Sequence, residues 1–232
     1  MEAGVFEIFG TRYYTHGFGL LLVAPFALWF AASLLRTLYR LLRKRRPAVG
    51  WGLYLSALLT MVSFVVAFWD VYQIGQQATK LCKEQGGLHV YKTVEAEGFI
   101  GSGGIEYWAN YGFKYVEDTY ANGKKVRGII KNGKATKIQV DSFLSEYEYS
   151  HKREKLGERL VRGRYCIVHR QSGDCLGELI VFGIHGGWAD MLFYNLTGFS
   201  YTPWGCGDKN NGADLTYGDV VKATLKPVSE TK

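Results

Sequence analysis

Three groups of residues in this 232-residue chain have the types and the closeness that chemistry needs: His185-Gly186-Gly187-Trp188, the four cysteines, and the oxygen-rich stretch Asp208, Asn210, Gly212, Asp214 and Asp219. The first has the glycine-rich backbone that cradles an oxyanion during acyl transfer. That chemistry also needs a nucleophile on a Gly-x-Ser-x-Gly turn. No such turn occurs, and Ser102 in Gly101-Ser102-Gly103-Gly104 has the wrong spacing. His185 to Gly187 therefore reads as a strand end turning into a short apolar segment from Trp188 to Tyr194. Cys166 and His169 suggest a thiol and its base, but on a strand positions three apart face opposite sides. In the acidic stretch an EF-hand would need Asp or Asn where Gly212 sits and Gly where Ala213 sits. The glycines from Gly98 to Gly104 miss the phosphate-loop pattern. Zinc and redox sites both use closely paired cysteines, and none are present. No catalytic, cofactor-binding or metal residue is assigned, no cofactor is expected, and the chain reads as non-enzymatic. The competing hydrolase reading centres on His185 and Asp190.

Cys82, Cys166, Cys175 and Cys206 all follow residue 71, and an even count suits an oxidising compartment. A two-residue turn at Ser172-Gly173 sets Cys166 opposite Leu179 and Cys175 opposite Arg170. That offset is roughly 13 Å at strand rise, beyond disulfide reach unless the loop is longer or bulged. Cys82 with Cys206 is the preferred pair, and Cys166 with Cys175 the less favoured one.

The elements that must carry these residues begin with two charge-free runs, Gly17 to Leu35 and Ala48 to Trp69. Each approaches the ~20 residues a helix needs to cross the hydrocarbon layer. The formal charge is +7. Its largest share is Arg36, Arg40, Arg43, Lys44, Arg45 and Arg46 between the runs, so no basic stripe marks a nucleic-acid surface, and nucleic acid is excluded as a partner. Such a cluster is retained on the cytoplasmic side, which puts both chain ends outside. Tyr13, Tyr14, Tyr39, Trp51, Tyr54, Trp69 and Tyr72 fall where interfacial aromatics belong. Pro25 is tolerated inside the first span. A cleaved signal peptide would need its cations before the apolar run, whereas here they follow it.

The expected organisation is an extracytoplasmic segment at 1–16, a transmembrane helix at 17–38, a basic cytoplasmic loop at 39–48, a second transmembrane helix at 49–70 and an extracytoplasmic, periplasmic β-rich domain at 71–232. Val71 to Lys83 continues as a short helix or stalk, ended by Gly86 and Gly87. Asn122-Gly123 and Asn132-Gly133 are hairpin turn signals that imply a three-strand meander. In its first strand Tyr111, Phe113 and Tyr115 share one face. A second hairpin runs from Arg159 to His169 and from Cys175 to Ile184, with the character of central strands. Thr197 to Asp219 reads as loop. The fold class is a membrane-anchored α+β protein with a mainly antiparallel domain, a sandwich or an open barrel. Tyr107, Trp108, Trp188 and Trp204 are either core or a recognition surface that binds sugar in a sensor. The expected partners are the lipid bilayer and another envelope protein or a second copy of the chain, in an interaction module of the bacterial inner membrane.

Overall fold

The computed structural model describes residues 4–8, 11–15, 17–43, 50–102, 104–131, 134–157, 159–184, 187–197, 205–206 and 215–228. Lys44, Arg45, Arg46, Asn132-Gly133, His185, Trp204 and the 208–214 part of the acidic stretch lie outside them, as does the side chain of Asp190. The chain divides into two compact units: residues 1–81, 157–160 and 183–204 form the first, and residues 82–156, 161–182 and 205–232 the second.

The first unit opens with an antiparallel hairpin, β1 (Gly4–Ile8) and β2 (Thr11–Thr15), with Gly4 opposite Thr15. Helix α1 (Gly17–Leu42) and helix α2 (Trp51–Gln85) follow. Both are long and apolar enough to cross a membrane, and only 11% of the most apolar window of each is buried. Leu21, Leu28, Leu58 and Met61 on their flanks are all more than half exposed. Arg36 and Arg40 lie within the last turns of α1, at the end whose dipole favours cations, and the Arg43 guanidinium sits over the Tyr39 ring. Helix α2 passes without interruption through Val71 to Lys83, because Gly75 alone does not break a helix. It ends where Gly87 takes a positive φ of 107°.

The second unit is built on one mixed sheet. Strands β3 (Gly87–Val90), β4 (Val94–Ala96) and β5 (Gly98–Ile100) lead to the one-turn helix α3 (Ile105–Trp108) and a 3-10 turn at Ala109–Tyr111. The meander then runs through β6 (Tyr115–Thr119), β7 (Lys125–Lys131) and β8 (Lys134–Gln139), with Val116 opposite Gly128 and Arg127 opposite Ile138. It turns at Asn122-Gly123, where Gly123 has φ 79°. Its first strand starts at Tyr115, not Tyr111. Gly112, in the left-handed region, closes the helical turns before it, and Phe113 reaches the core from a loop. Strands β9 (Tyr147–Lys155), β10 (Leu160–His169) and β11 (Cys175–Ile184) complete the centre of the sheet. After α4 (Trp188–Thr197), which belongs to the first unit, come β12 (Gly205–Cys206), α5 (Tyr217–Thr224) and β13 (Leu225–Pro227).

The sheet order is β12-β11-β10-β9-β5-β6-β7-β8, with β3 also on β11. Strand β5 runs parallel to both β6 and β9. A parallel neighbour cannot follow a tight turn, and the β5 to β6 link is accordingly a crossover through α3. Val220 and Val221 of α5, Ile105 and Trp108 of α3, and Leu225 pack with Phe99, Val116, Tyr149, Ile167 and Leu179 of the sheet into one core. Among the described residues the second layer is helix, loop and the small β4–β13 pair, and no second large sheet faces the first. This corrects the expected sandwich or open barrel, and β13 pairs parallel with β4 in a small sheet of its own. The tail is also more regular than expected. Thr216 and Asp219 form a reciprocal capping box that starts α5 within the stretch read as loop.

Candidate functional site

Two places gather polar side chains from separated parts of the sequence, one in each unit. In the first, Asp70 ends the charge-free run of α2. Its carboxylate accepts from the Arg159 guanidinium and, at 2.6 Å, from the Trp188 backbone N–H. The Trp188 indole Nε1–H donates to the Val66 carbonyl at 2.7 Å. Gly187 makes this approach possible, since a Cβ there would sit 2.8 Å from Val71 Cγ2 and 3.0 Å from Asp70 Oδ1. The Gly-rich segment considered for an oxyanion thus has a packing reason for Gly187. Trp188, a candidate recognition residue, is held as an anchor.

The second place is an open groove of about 350 Å³ on the face of β9, β10 and β11 turned away from the aromatic core. Glu148, Ser150 and Lys152 line it from β9, Arg164, Cys166 and Val168 from β10, and Arg170, Gly173 and Cys175 from the loop and β11. The alternation of β9 puts these side chains opposite Tyr149, which is buried. The Arg170 guanidinium donates to the Ser145 carbonyl at 2.9 Å and lies 3.9 Å from Glu148. The groove offers hydrogen-bond donors and cations around a disulfide.

That disulfide corrects the register read from sequence. Cys166 and Cys175 are joined, with Cα atoms 6.0 Å apart. The hairpin loop is the longer kind: His169 N–H bonds to the Asp174 carbonyl and Gly173 N–H to the His169 carbonyl. His169, not Gln171, faces Asp174, and the two-residue shift draws the cysteines onto diagonal positions. Cys82 and Cys206 form the other pair, also at 6.0 Å, tying the last turn of α2 to β12.

Beneath the groove, Glu178 is 4% exposed and accepts from both Arg164 and the Tyr91 hydroxyl. Burial penalises its charged form, but the bonds from Arg164 and Tyr91 outweigh that and hold its pKa below the usual carboxylate value. The bond to Glu178 raises the Tyr91 hydroxyl in turn. A depressed carboxylate contributes stability that is full above the unfolded pKa of ~4.3 and is lost as pH falls through the folded value. Glu178→Gln is expected to cost about 2 kcal/mol at neutral pH. The gap from the parent should close as urea midpoints are followed into acid, and a gap that stays constant would contradict the assignment.

The remaining aromatic candidates separate. Trp108 is 2% exposed, its indole N–H donates to the Ser102 carbonyl at 3.0 Å, and Phe99 and Tyr149 stand 5.2 and 5.5 Å from its ring. It is core and not recognition surface. Tyr107 is 49% exposed and packs edge-on against Trp108, so one exposed ring does not make a sugar platform. Asp219, from the acidic stretch, spends a carboxylate oxygen on the cap of α5. Among the described residues no cluster of His, Cys, Asp and Glu has the makings of a metal site. Sequence reasoning missed Glu178 and Glu117, both buried, and the sequence carries no signal for either beyond a carboxylate inside a strand. Compared with known proteins, the chain matches no family model, no curated protein and no solved structure.

Proposed function

We propose that this chain is a membrane-tethered interaction module of the bacterial cell envelope, non-enzymatic, with two passes through the inner membrane, both ends outside and its β unit periplasmic. One observation carries the reading. Two long apolar helices, almost bare on their flanks, run directly into a disulfide-paired β unit whose polar groove offers cations and donors but no reacting pair. A basic loop between two spans resists translocation, while thiols pair where the compartment oxidises them. The groove suits an acidic or carbonyl-rich segment of an envelope partner or of a second copy. The sugar-sensor reading loses support from the burial of Trp108 and the anchoring of Trp188.

The topology is tested by alkaline phosphatase fused after Trp69, which is expected to be active, against an inactive fusion at the basic loop. The reverse pattern overturns the location. The interaction role is tested by a photo-crosslinking residue at Lys152 or Arg170 in cells, with Lys124 at the distant hairpin turn as control. A discrete adduct from the groove alone is expected. Identical, adduct-free behaviour at all three positions overturns the role.

A further inference from the structure

Helix α4 carries more apolar surface than its place in the fold explains. Leu192 and Leu196 follow Trp188 at intervals of four, so the three share one face. Leu192 is 42% and Leu196 70% exposed, Met191 beside them is 41% exposed, and Ala189 is fully buried on another side. The helix has no freedom to turn this face elsewhere. Its first residue is pinned to α2 by the Trp188 N–H bond to Asp70 and the indole bond to the Val66 carbonyl, with Arg159 on the same carboxylate. Helix α4 also packs against α1.

The level at which it is pinned identifies what covers it. Asp70 is the first charge after the apolar run of α2, so in the anchored reading the hydrocarbon layer ends within a turn of it. Trp69, Tyr72 and Trp188 then share the interfacial level, where aromatic rings with one polar atom prefer to sit. At the corresponding outer end of α1, Leu20 and Leu21 are 48% and 67% exposed. The apolar face of α4 is continuous in kind with the bare flanks of the two helices it touches, all within one compact unit.

We infer that α4 is an interfacial helix, lying along the outer leaflet with Met191, Leu192 and Leu196 in the boundary between headgroups and acyl chains, and that its partner is lipid. This rests on the membrane-anchored reading. It adds a third contact with the bilayer, which fixes the tilt of the first unit. The lipid contact also explains the ion pair at Asp70, since a carboxylate at that depth needs a fixed cation beside it.

The test uses the full chain in nanodiscs of phosphatidylcholine and phosphatidylglycerol, with single nitroxide labels on cysteines introduced at Leu192 and Leu196. The native cysteines are all paired and do not compete for label. Leu58, on the exposed flank of α2, and Lys124, at a hairpin turn, give the lipid and water references. Collision with oxygen should be high at Leu192 and Leu196, and collision with a water-soluble nickel chelate several-fold lower than at Lys124. Nickel access equal to that of Lys124 overturns the inference. Low access to both reagents also overturns it, and means that protein covers the face. If Leu58 reports lipid while α4 is wet, the interfacial helix alone fails. If Leu58 is wet, the anchored reading fails with it.

Discussion

Replacing both Cys82 and Cys206 by serine is expected to lower the stability of the second unit by about 5 kcal/mol, as much as many domains possess in total. The two residues lie 124 positions apart, so the bond closes a loop that holds most of the β strands. In the chain-entropy treatment such a closure removes far more freedom from the unfolded chain than the Cys166–Cys175 bond, whose residues are only 9 apart and which is worth about 2.7 kcal/mol by the same rule. Urea titration in detergent, read by proteolysis, should therefore rank the variants: parent, then Cys166→Ser with Cys175→Ser, then Cys82→Ser with Cys206→Ser as the least stable. Equal midpoints for the two double variants would show that loop length does not govern here. Reduction of the parent should reproduce the combined effect.

The second large effect is expected at Glu117. Its side chain is fully buried in β6, where strand alternation alone leaves one face wet. The loop between β8 and β9 covers that face. The carboxylate accepts the Leu144 N–H at 3.0 and 3.1 Å, the Ser145 N–H at 2.9 Å and the Arg127 Nε–H at 2.7 Å. The Ser145 hydroxyl in turn donates to the Gly98 carbonyl at 2.9 Å, joining the loop to β5. Glu117→Gln keeps the shape but turns an amide donor toward groups that already donate, and it leaves Arg127 without a counter-charge. Removing one partner of a buried pair costs roughly 3–5 kcal/mol, and the partial exposure of Arg127 points to the lower end, about 3. Arg127→Gln should cost less, because the carboxylate keeps its two backbone donors. Hydrogen exchange gives a reading that a general loss of packing would not. The Leu144 and Ser145 amides should lose protection before the β6 and β7 ladder does, and simultaneous loss would argue against a local clamp.

The features legible in the sequence are those that repeat along it. Two charge-free runs, the meander around Asn122-Gly123 and the long hairpin from β10 to β11 each rest on a pattern of neighbours, and each is present in the fold. The capping box of Thr216 and Asp219 was equally readable, since Thr-x-x-Asp is a helix-start signal, but the surrounding glycines and asparagines argued for loop. The Cys166–Cys175 pairing turned on loop length. A four-residue loop at Arg170 to Gly173 and a two-residue turn at Ser172-Gly173 are both compatible with the sequence, and they place the cysteines differently by two positions.

What the sequence by itself determined is the order of apolar helices and strands and the positions of four thiols, because hydrophobic period, glycine turns and charge runs act over a few residues. Only the tertiary structure decided that β5 lies parallel between β6 and β9, that helices and the small β4–β13 pair close the core, and that Asp70, Glu117 and Glu178 acquire ion-pair partners. The cause is distance along the chain. Asp70 meets Trp188 across 118 positions, and no local preference of either residue encodes the other.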